Sequence, residues 1–497
     1  MSTDTPNILL IMSDQQRPET LGFRGETPCR TPNIDRLAGE GISYDRALCP
    51  SPLCMPARAG FFSGKYPHQL GLLTNAGTIK EPPVLTDELR ALGYYTAYAG
   101  KWHLEPPGQP KAFRGREKEL GLDDVHGGDI KPKGERVIDR WFDVAEGQGS
   151  YDYSVWCEEN GLPDGWTVSD PDVRTHRLPS MSIPKPKRQE MPPEHTYDAW
   201  VTDIALRYLR ERPRDQPFFI VSSTFGPHPP FLIPEPYYSM YDPADVPEPP
   251  NFGPQPGKPR SVESSYYRQL FLDHGETWEP WRKSMAVYWG YCTMIDDLAG
   301  KLIGALEEEG ILDETLVIFL SDHGEQMGSH GLWQKMMPYE EGLRVPFVMR
   351  LPGAISPGIR SQANVSLVDF VPTVLDMLDR PVPDDMIGRS LTPTFTDPSG
   401  AEFQEDNYRF SEHKPLGEWH NVVEWRLVTD NEYKYVWNQG DMDELYHLET
   451  DPHELHNRID DLALSEAQAR LKARMAAWME ETDDPLQASY LEEAMPQ

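Results

Sequence analysis

Four short apolar runs in this chain each end abruptly in side chains that carry charge or bind protons, and this punctuation narrows the folds open to it. Asn7 to Ser13 (NILLIMS) stops at Asp14-Gln15, and Thr96 to Ala99 (TAYA) leads through Gly100 to Lys101 and His103. Phe218 to Ser223 (FFIVSS) leads to Phe225-Gly226-Pro227-His228, and Leu316 to Leu320 (LVIFL) runs into Ser321-Asp322-His323-Gly324. Runs of this length, bounded by turn formers, read as buried strands. Helical periodicity lies between them, at 33–41, 85–92, 199–211 and about 285–309, the last closed by Gly310. Strands alternating with helices predict an α/β fold, a large mostly parallel sheet flanked by helices. In such sheets ligands sit beyond the carboxyl ends of the strands, so the four polar clusters can converge there.

The pattern changes toward the C-terminus. A helix is expected over 365–378, with Pro372 near its start, and Pro381 to Pro393 closes the alternating part. Trp425 to Thr429 and Tyr433 to Trp437 alternate as antiparallel strands do, and 462–479 reads as an amphipathic closing helix. This divides the chain into a catalytic domain, 1–395, and a smaller α+β unit, 396–497. Two stretches rich in proline, 105–195 and 227–262, fall inside the alternating pattern and read as long ordered loops that shape a pocket mouth.

Bulk properties exclude several function classes. A formal charge of -33 opposes binding to nucleic acid or to an anionic membrane, so an anionic substrate would need a local cationic pocket. No apolar run approaches the roughly 18 residues of a spanning helix. The opening MSTDTPNILLIMSDQQ has neither a basic segment nor a small-residue cleavage site, so the expectation is a cytoplasmic protein. Five scattered cysteines without a C-x-x-C pair do not make a disulfide scaffold, and Cys29, Cys49, Cys157 and Cys292 read as packing residues.

Cys54 differs from these four. Met55-Pro56 follows it, a proline suited to the first turn of a helix, and ARAGFFSG then runs to Gly64. Cys54 would stand at a helix N-terminus, where free amides favour a thiolate, with Arg58 one turn further on the same face.

Cys54, Pro56 and Arg58 form C-x-P-x-R, which resembles the signature of the formylglycine-dependent (type I) sulfatases of the alkaline phosphatase superfamily. TPNIDRLAGEG, SGKYPHQLG, GKWHL, GPHPPF, SDHGEQMGSHGLWQK and ELYHLETDPHELHN look like blocks of that family in its order, over nearly the whole chain. The resemblance implies an alkaline-phosphatase-like fold and makes the thiol a precursor. A formylglycine-generating enzyme would oxidise Cys54 before folding, and the hydrated aldehyde would attack sulfur. The sulfate hemiester so formed can expel sulfate as its carbonyl reforms, which a serine or cysteine ester cannot do.

The same resemblance assigns roles. Asp14, Gln15, Asp322 and His323, with residue 54, would hold a divalent metal. Gln15 departs from the second Asp common in the family and removes one negative charge, although an amide oxygen still ligates. Oxygen-rich donors favour Ca2+, with Mg2+ or Mn2+ as alternatives. Arg58 and Lys101 would bind nucleophile and sulfate, His103 would orient or deprotonate the diol, and His228, as general acid, and Lys335 would meet the leaving oxygen. Glu325 and His330 read as supporting or structural residues and Asn75 as loop packing. Trp102, Trp141, Tyr151 and Tyr153 read as packing aromatics rather than pocket lining.

The activity expected is hydrolysis of a sulfate ester, of a small sugar or oligosaccharide. Asp14-Gln15 and Asp322-His323 also resemble a phosphonate monoester or phosphodiester hydrolase branch of the superfamily, against which stand the cations Lys101 and His103. A binding protein that kept the fold, or a hydrolase using the unmodified thiolate, are the remaining readings.

Overall fold

A computed structural model of the chain describes residues 5–77, 79, 84–104, 144–146, 150–163, 185–397, 407–415 and 422–495. The first four strands are β1 (Asn7–Ser13), β2 (Ile42–Leu48), β3 (Tyr95–Gly100) and β4 (Val144–Glu146). Then come β5 (Lys187–Arg188), β6 (Phe218–Ser223) and β7 (Leu232–Ile233), of which β5 and β7 pair separately. The main sheet is completed by β8 (Thr315–Ser321), β9 (Phe347–Arg350) and β10 (Ile359–Ser366), in the order β10-β2-β9-β8-β1-β6-β3-β4. β9 pairs antiparallel with both of its neighbours, and every other pairing in this sheet is parallel. The mostly parallel sheet expected from the alternation is therefore present. β1, β6 and β8 are buried along their whole length, as strands covered on both faces must be.

Register brings the strand ends level. Ser13 lies opposite Ser321, Met12 opposite Ser223, and Ser223 opposite Gly100, so the residues that follow β1, β3, β6 and β8 emerge side by side. The helices between them run Pro32–Glu40, Val84–Ala91, Tyr197–Glu211 and Trp278–Glu308, each within a few residues of its expected start except the last, which begins seven residues earlier. No helix among the described residues is long and apolar enough to cross a membrane.

One expected element is corrected. The stretch 365–378 is not a single helix: Val365 and Ser366 pair with Ala47 and Leu48 as the end of β10, and the helix runs Phe370–Met377. Ser366 and Asp369 form a capping box between the two, the signal that separates strand from helix here. Most of 105–195 lies outside the described residues.

Four strands, β11 (Arg409–His413), β12 (Trp425–Thr429), β13 (Tyr433–Asn438) and β14 (Glu444–His447), form an antiparallel sheet in chain order. Helix Ser465–Glu481 covers it through Leu471, Met475 and Trp478, which share a core with Val428, Tyr435 and Trp437. This sheet touches the segment leading to Cys54, because Glu412 N–H donates to the Pro50 carbonyl at 2.9 Å. Two further backbone bonds hold that segment, Cys49 N–H to Leu343 C=O at 2.9 Å and Met336 N–H to Pro52 C=O at 3.1 Å.

Candidate active site

Cys54 is the first residue of helix Cys54–Ser63, all ten residues of which are buried. Gly64 ends the helix in the left-handed conformation, φ 69°, where a side chain would be strained. Asn75 is more than loop packing: its Oδ1 accepts the Met55 N–H at 3.1 Å, satisfying one free amide of the first turn. The Cys54 sulfur lies 3.1 Å from His323 Nε2, 3.4 Å from Lys335 Nζ and 3.9 Å from Asp14 Oδ1. One turn on, the fully buried Arg58 guanidinium donates to Asp322 Oδ2 at 2.8 Å and stands 3.6 Å from Asp14 Oδ2. Its other arm donates to the Lys101 carbonyl at 2.7 Å and to Ser223 Oγ at 2.9 Å.

The end of β1 is held from several sides. Asp14 N–H donates to Gly226 C=O at 3.1 Å, and Gln15 adopts a left-handed backbone, φ 64°. A residue with a side chain reaches that region at a cost of about 1–3 kcal/mol, so its neighbours must hold it. They do: Gln15 N–H donates to Asp322 Oδ1 at 3.1 Å, its carbonyl accepts from Tyr288 at 2.8 Å, and Gln16 N–H donates to Ser321 Oγ at 2.9 Å. At the end of β8, His323 Nδ1 lies 3.0 Å from the Gly324 carbonyl. A carbonyl only accepts, so Nδ1 carries a proton and Nε2 is the nitrogen turned toward the sulfur and the two carboxylates.

Asp14, Cys54, Asp322 and His323 each offer one ligand atom, and these atoms lie within 4.8 Å of one another. Two carboxylates and an imidazole, with the Gln15 amide oxygen adjoining them, form a donor set suited to a hard or borderline divalent ion. Lys101 donates to Asp14 Oδ2 and Lys335 to Gln15 Oε1. The Lys101 carbonyl accepts from Arg58, Ser223 Oγ and Tyr98, which fixes the end of β3.

His228 stands on the loop after β6. Asp198, buried in helix Tyr197–Glu211, anchors that loop: its Oδ1 accepts from Phe225 N–H at 2.6 Å and Gly226 N–H at 3.2 Å, and its Oδ2 accepts from Tyr291 at 2.8 Å. Gly226 must be glycine, since a Cβ there would come within 2.2 Å of the Tyr291 ring. Both His228 and His103 feel the Cys54 sulfur electrostatically.

The cations dominate the local field. Burial pushes the Cys54 thiol up, but Lys101, Lys335 and His323 outweigh it and leave the thiol well below its ordinary range. Burial and the sulfur raise Asp14, and Lys101, His228 and Lys335 overcome both to hold it below the carboxylate range. Burial, then Lys335, pull His228 down to about 4, and burial also lowers His103.

The structure thus brings Asp14, Gln15, Cys54, Arg58, Lys101, His103, His228, Asp322, His323 and Lys335 to one place. His330 lies elsewhere, with Glu341 and Glu454, and the other four cysteines are buried and free. Trp102 and Tyr153 are buried in the core, whereas Trp141 and the Tyr151 side chain lie outside the described residues. Asp198, Ser223, Tyr288 and Tyr291 escaped the sequence reading; the only signals were a polar residue at a strand end and tyrosines at helical spacing.

The model of the sulfatase family matches residues 6–380, and one described as N-sulphoglucosamine sulphohydrolase, C-terminal, matches residues 328–481. An arylsulfatase of Clostridium perfringens is 29% identical over 468 residues, 92% of this chain and 90% of its own length. The multifunctional alkaline phosphatase superfamily protein PehA of Trinickia caryophylli is 30% identical over 491 residues, 92% of each chain. The crystal structure of the phosphonate monoester hydrolase of Agrobacterium radiobacter has the same fold, with a TM-score of 0.76 at 24% identity over 96% of each chain.

Proposed function

Since this chain belongs to the sulfatase family and is a sulfuric ester hydrolase, we propose that it removes sulfate from a small sugar or oligosaccharide, using formylglycine made from Cys54 and a calcium ion. Asp14, Gln15, Asp322 and His323 hold the ion. When bound, the ion polarises the sulfate oxygens, and the formylglycine diol supplies a nucleophile that later sheds sulfate. A formylglycine-generating enzyme that reads Cys54, Pro56 and Arg58 is the partner this requires.

The observation that carries the reading is the packing of Cys54, Asp14, Asp322 and His323 ligand atoms within 4.8 Å of one another, at the level ends of strands hundreds of residues apart. Lys101 and Lys335 face the anion, and Arg58 holds Asp322 and the end of β3 in place. These cations form the local positive field that the acidic exterior denies. His103, which interacts electrostatically with residue 54, takes the proton from the diol. His228 is neutral at rest; an arriving sulfate monoester opposes the effect of Lys335 and favours the proton that His228 passes to the leaving oxygen. The match of residues 328–481 to an N-sulphoglucosamine sulphohydrolase model supports a sugar substrate.

A phosphonate monoester is the second reading, favoured by the Asp-Gln and Asp-His ligand pairs and opposed by Lys101 and His103 at the nucleophile. The two are separated by kcat/KM for 4-nitrophenyl sulfate and for a phosphonate monoester. A much higher value for the phosphonate would overturn the sulfatase reading. Release of sulfate from none of a panel of sulfated mono- and disaccharides would remove the sugar.

A further inference from the structure

An amide can serve a cation in only one of its two orientations, because its oxygen accepts and ligates whereas its nitrogen only donates. The surroundings of Gln15 choose between them. On one side the Lys335 ammonium, which has no lone pair to offer, donates to Oε1. On the other side Glu325, fully buried, accepts from Nε2 through its own Oε2. A second donor commits Glu325 to accepting: its Oε1 takes the Met327 N–H at 3.0 Å. Turning the amide over would set oxygen against oxygen on one side and nitrogen against ammonium on the other. The left-handed backbone of Gln15, pinned through its N–H and its carbonyl, fixes the direction in which the side chain leaves the chain.

We propose that Glu325 is a positioning residue of the metal site, holding the Gln15 amide with Oε1 turned toward the ion and Nε2 turned away. This rests on the reading that Asp14, Gln15, Asp322 and His323 bind a divalent ion. Glu325 sits two residues after His323 yet acts on a residue 310 positions earlier, so one loop after β8 supplies a ligand and also orients a ligand just beyond the end of β1. A carboxylate at position 15 would need no such partner, since both of its oxygens can ligate.

The test is a cycle of variants read by calorimetric titration of Ca2+ into the full-length, chelator-treated protein. Glu325→Gln, which replaces the acceptor by a group able to present its own N–H, should weaken Ca2+ binding about 10–100-fold, the effect usual for a residue that orients a ligand. In a Gln15→Asp background the same change should matter little, within about threefold. Equal losses in the two backgrounds would overturn the proposal and leave the metal reading standing. Absence of Ca2+ binding by the unsubstituted protein would remove both. A Glu325→Gln protein that fails to fold while the double variant folds and binds would support it, since the defect then follows the amide. Failure of both to fold would overturn it, because Glu325 would then serve the fold whatever stands at position 15.

Discussion

Removal of the Asp198 carboxylate should disclose how His228 is held and what it does. Asp198 accepts from two backbone N–H groups and a tyrosine hydroxyl at 2.6, 3.2 and 2.8 Å, the last two in buried surroundings and the first part-buried. Asp198→Ala orphans these three donors, each worth about 1–3 kcal/mol when left unsatisfied. Water entering the space vacated would satisfy part of this, so the expected loss of stability is about 3–5 kcal/mol. The turn carrying His228 loses its anchor as well, and a displacement of about 1 Å at a reacting group costs about 100-fold in rate. If His228 protonates the leaving oxygen, that loss must depend on the leaving group. For a sugar sulfate, whose alkoxide leaves poorly, kcat should fall about 100-fold or more. For 4-nitrophenyl sulfate, whose phenolate departs unaided, the fall should stay under about tenfold. Asp198→Asn keeps an oxygen for both N–H groups and should recover most of the activity. The measurements are steady-state kinetics on both esters alongside thermal unfolding. Equal losses on the two esters would refute the reasoning, because Asp198 would then act on the fold and not through proton delivery.

Other consequences are as direct. Arg58→Met deprives buried Asp322 of its partner and should destabilise the protein by about 3–5 kcal/mol in denaturant unfolding; a change under about 1 kcal/mol would mean that the two lysines suffice. Cys54→Ala should abolish turnover while Ca2+ binding persists, and mass spectrometry of the 47–58 peptide should show the aldehyde in place of the thiol; unchanged turnover would end the formylglycine mechanism. Calcium affinity should depend on pH through His323. Burial lowers this imidazole, but Asp322 and the Cys54 sulfur together outweigh burial and raise it above its usual value. Only the neutral ring ligates, so affinity is complete above the raised value and falls as pH drops through it. Titrations from about pH 8 down to about pH 5 that show no change would remove His323 from the ligand set.

Asp14, Gln15, Lys101, His103, His228, Asp322 and His323 were legible because each one follows an apolar run, and a buried strand is among the clearest signals a chain carries; Cys54 and Arg58 stood out by their spacing with Pro56, and Lys335 by its block. Their convergence depended on register, which the alternation of strands and helices implies only in outline. β2 was overlooked for a physical reason: its sequence ISYDRAL contains Asp45 and Arg46, which read as surface residues, yet Asp45 pairs with Arg24 and Arg360 and Arg46 with Glu340. β9, four residues that run against the rest of the sheet, is too short to show a period. The anchoring residues were invisible on different grounds. Tyr288 and Tyr291 sit in a helix of 31 residues whose pattern they do not disturb, and nothing local says that one holds Gln15 and Arg17 while the other holds Asp198. Glu325 was noticed only for its place in the block; its partner Gln15, just past β1, is a tertiary fact.

The three backbone bonds that grip residues 49–52 set an order of events. Two of them come from the stretch 336–343, and the third waits for Glu412, near the end of a chain that a ribosome delivers from the other end. Until that residue emerges, the turn before Cys54 lacks its last tether; in the folded chain Cys54 is 2% exposed. A group that must reach the thiol therefore has to do so before the chain on both sides of residue 54 has packed, and the C-terminal sheet supplies the last of the backbone tethers just before it.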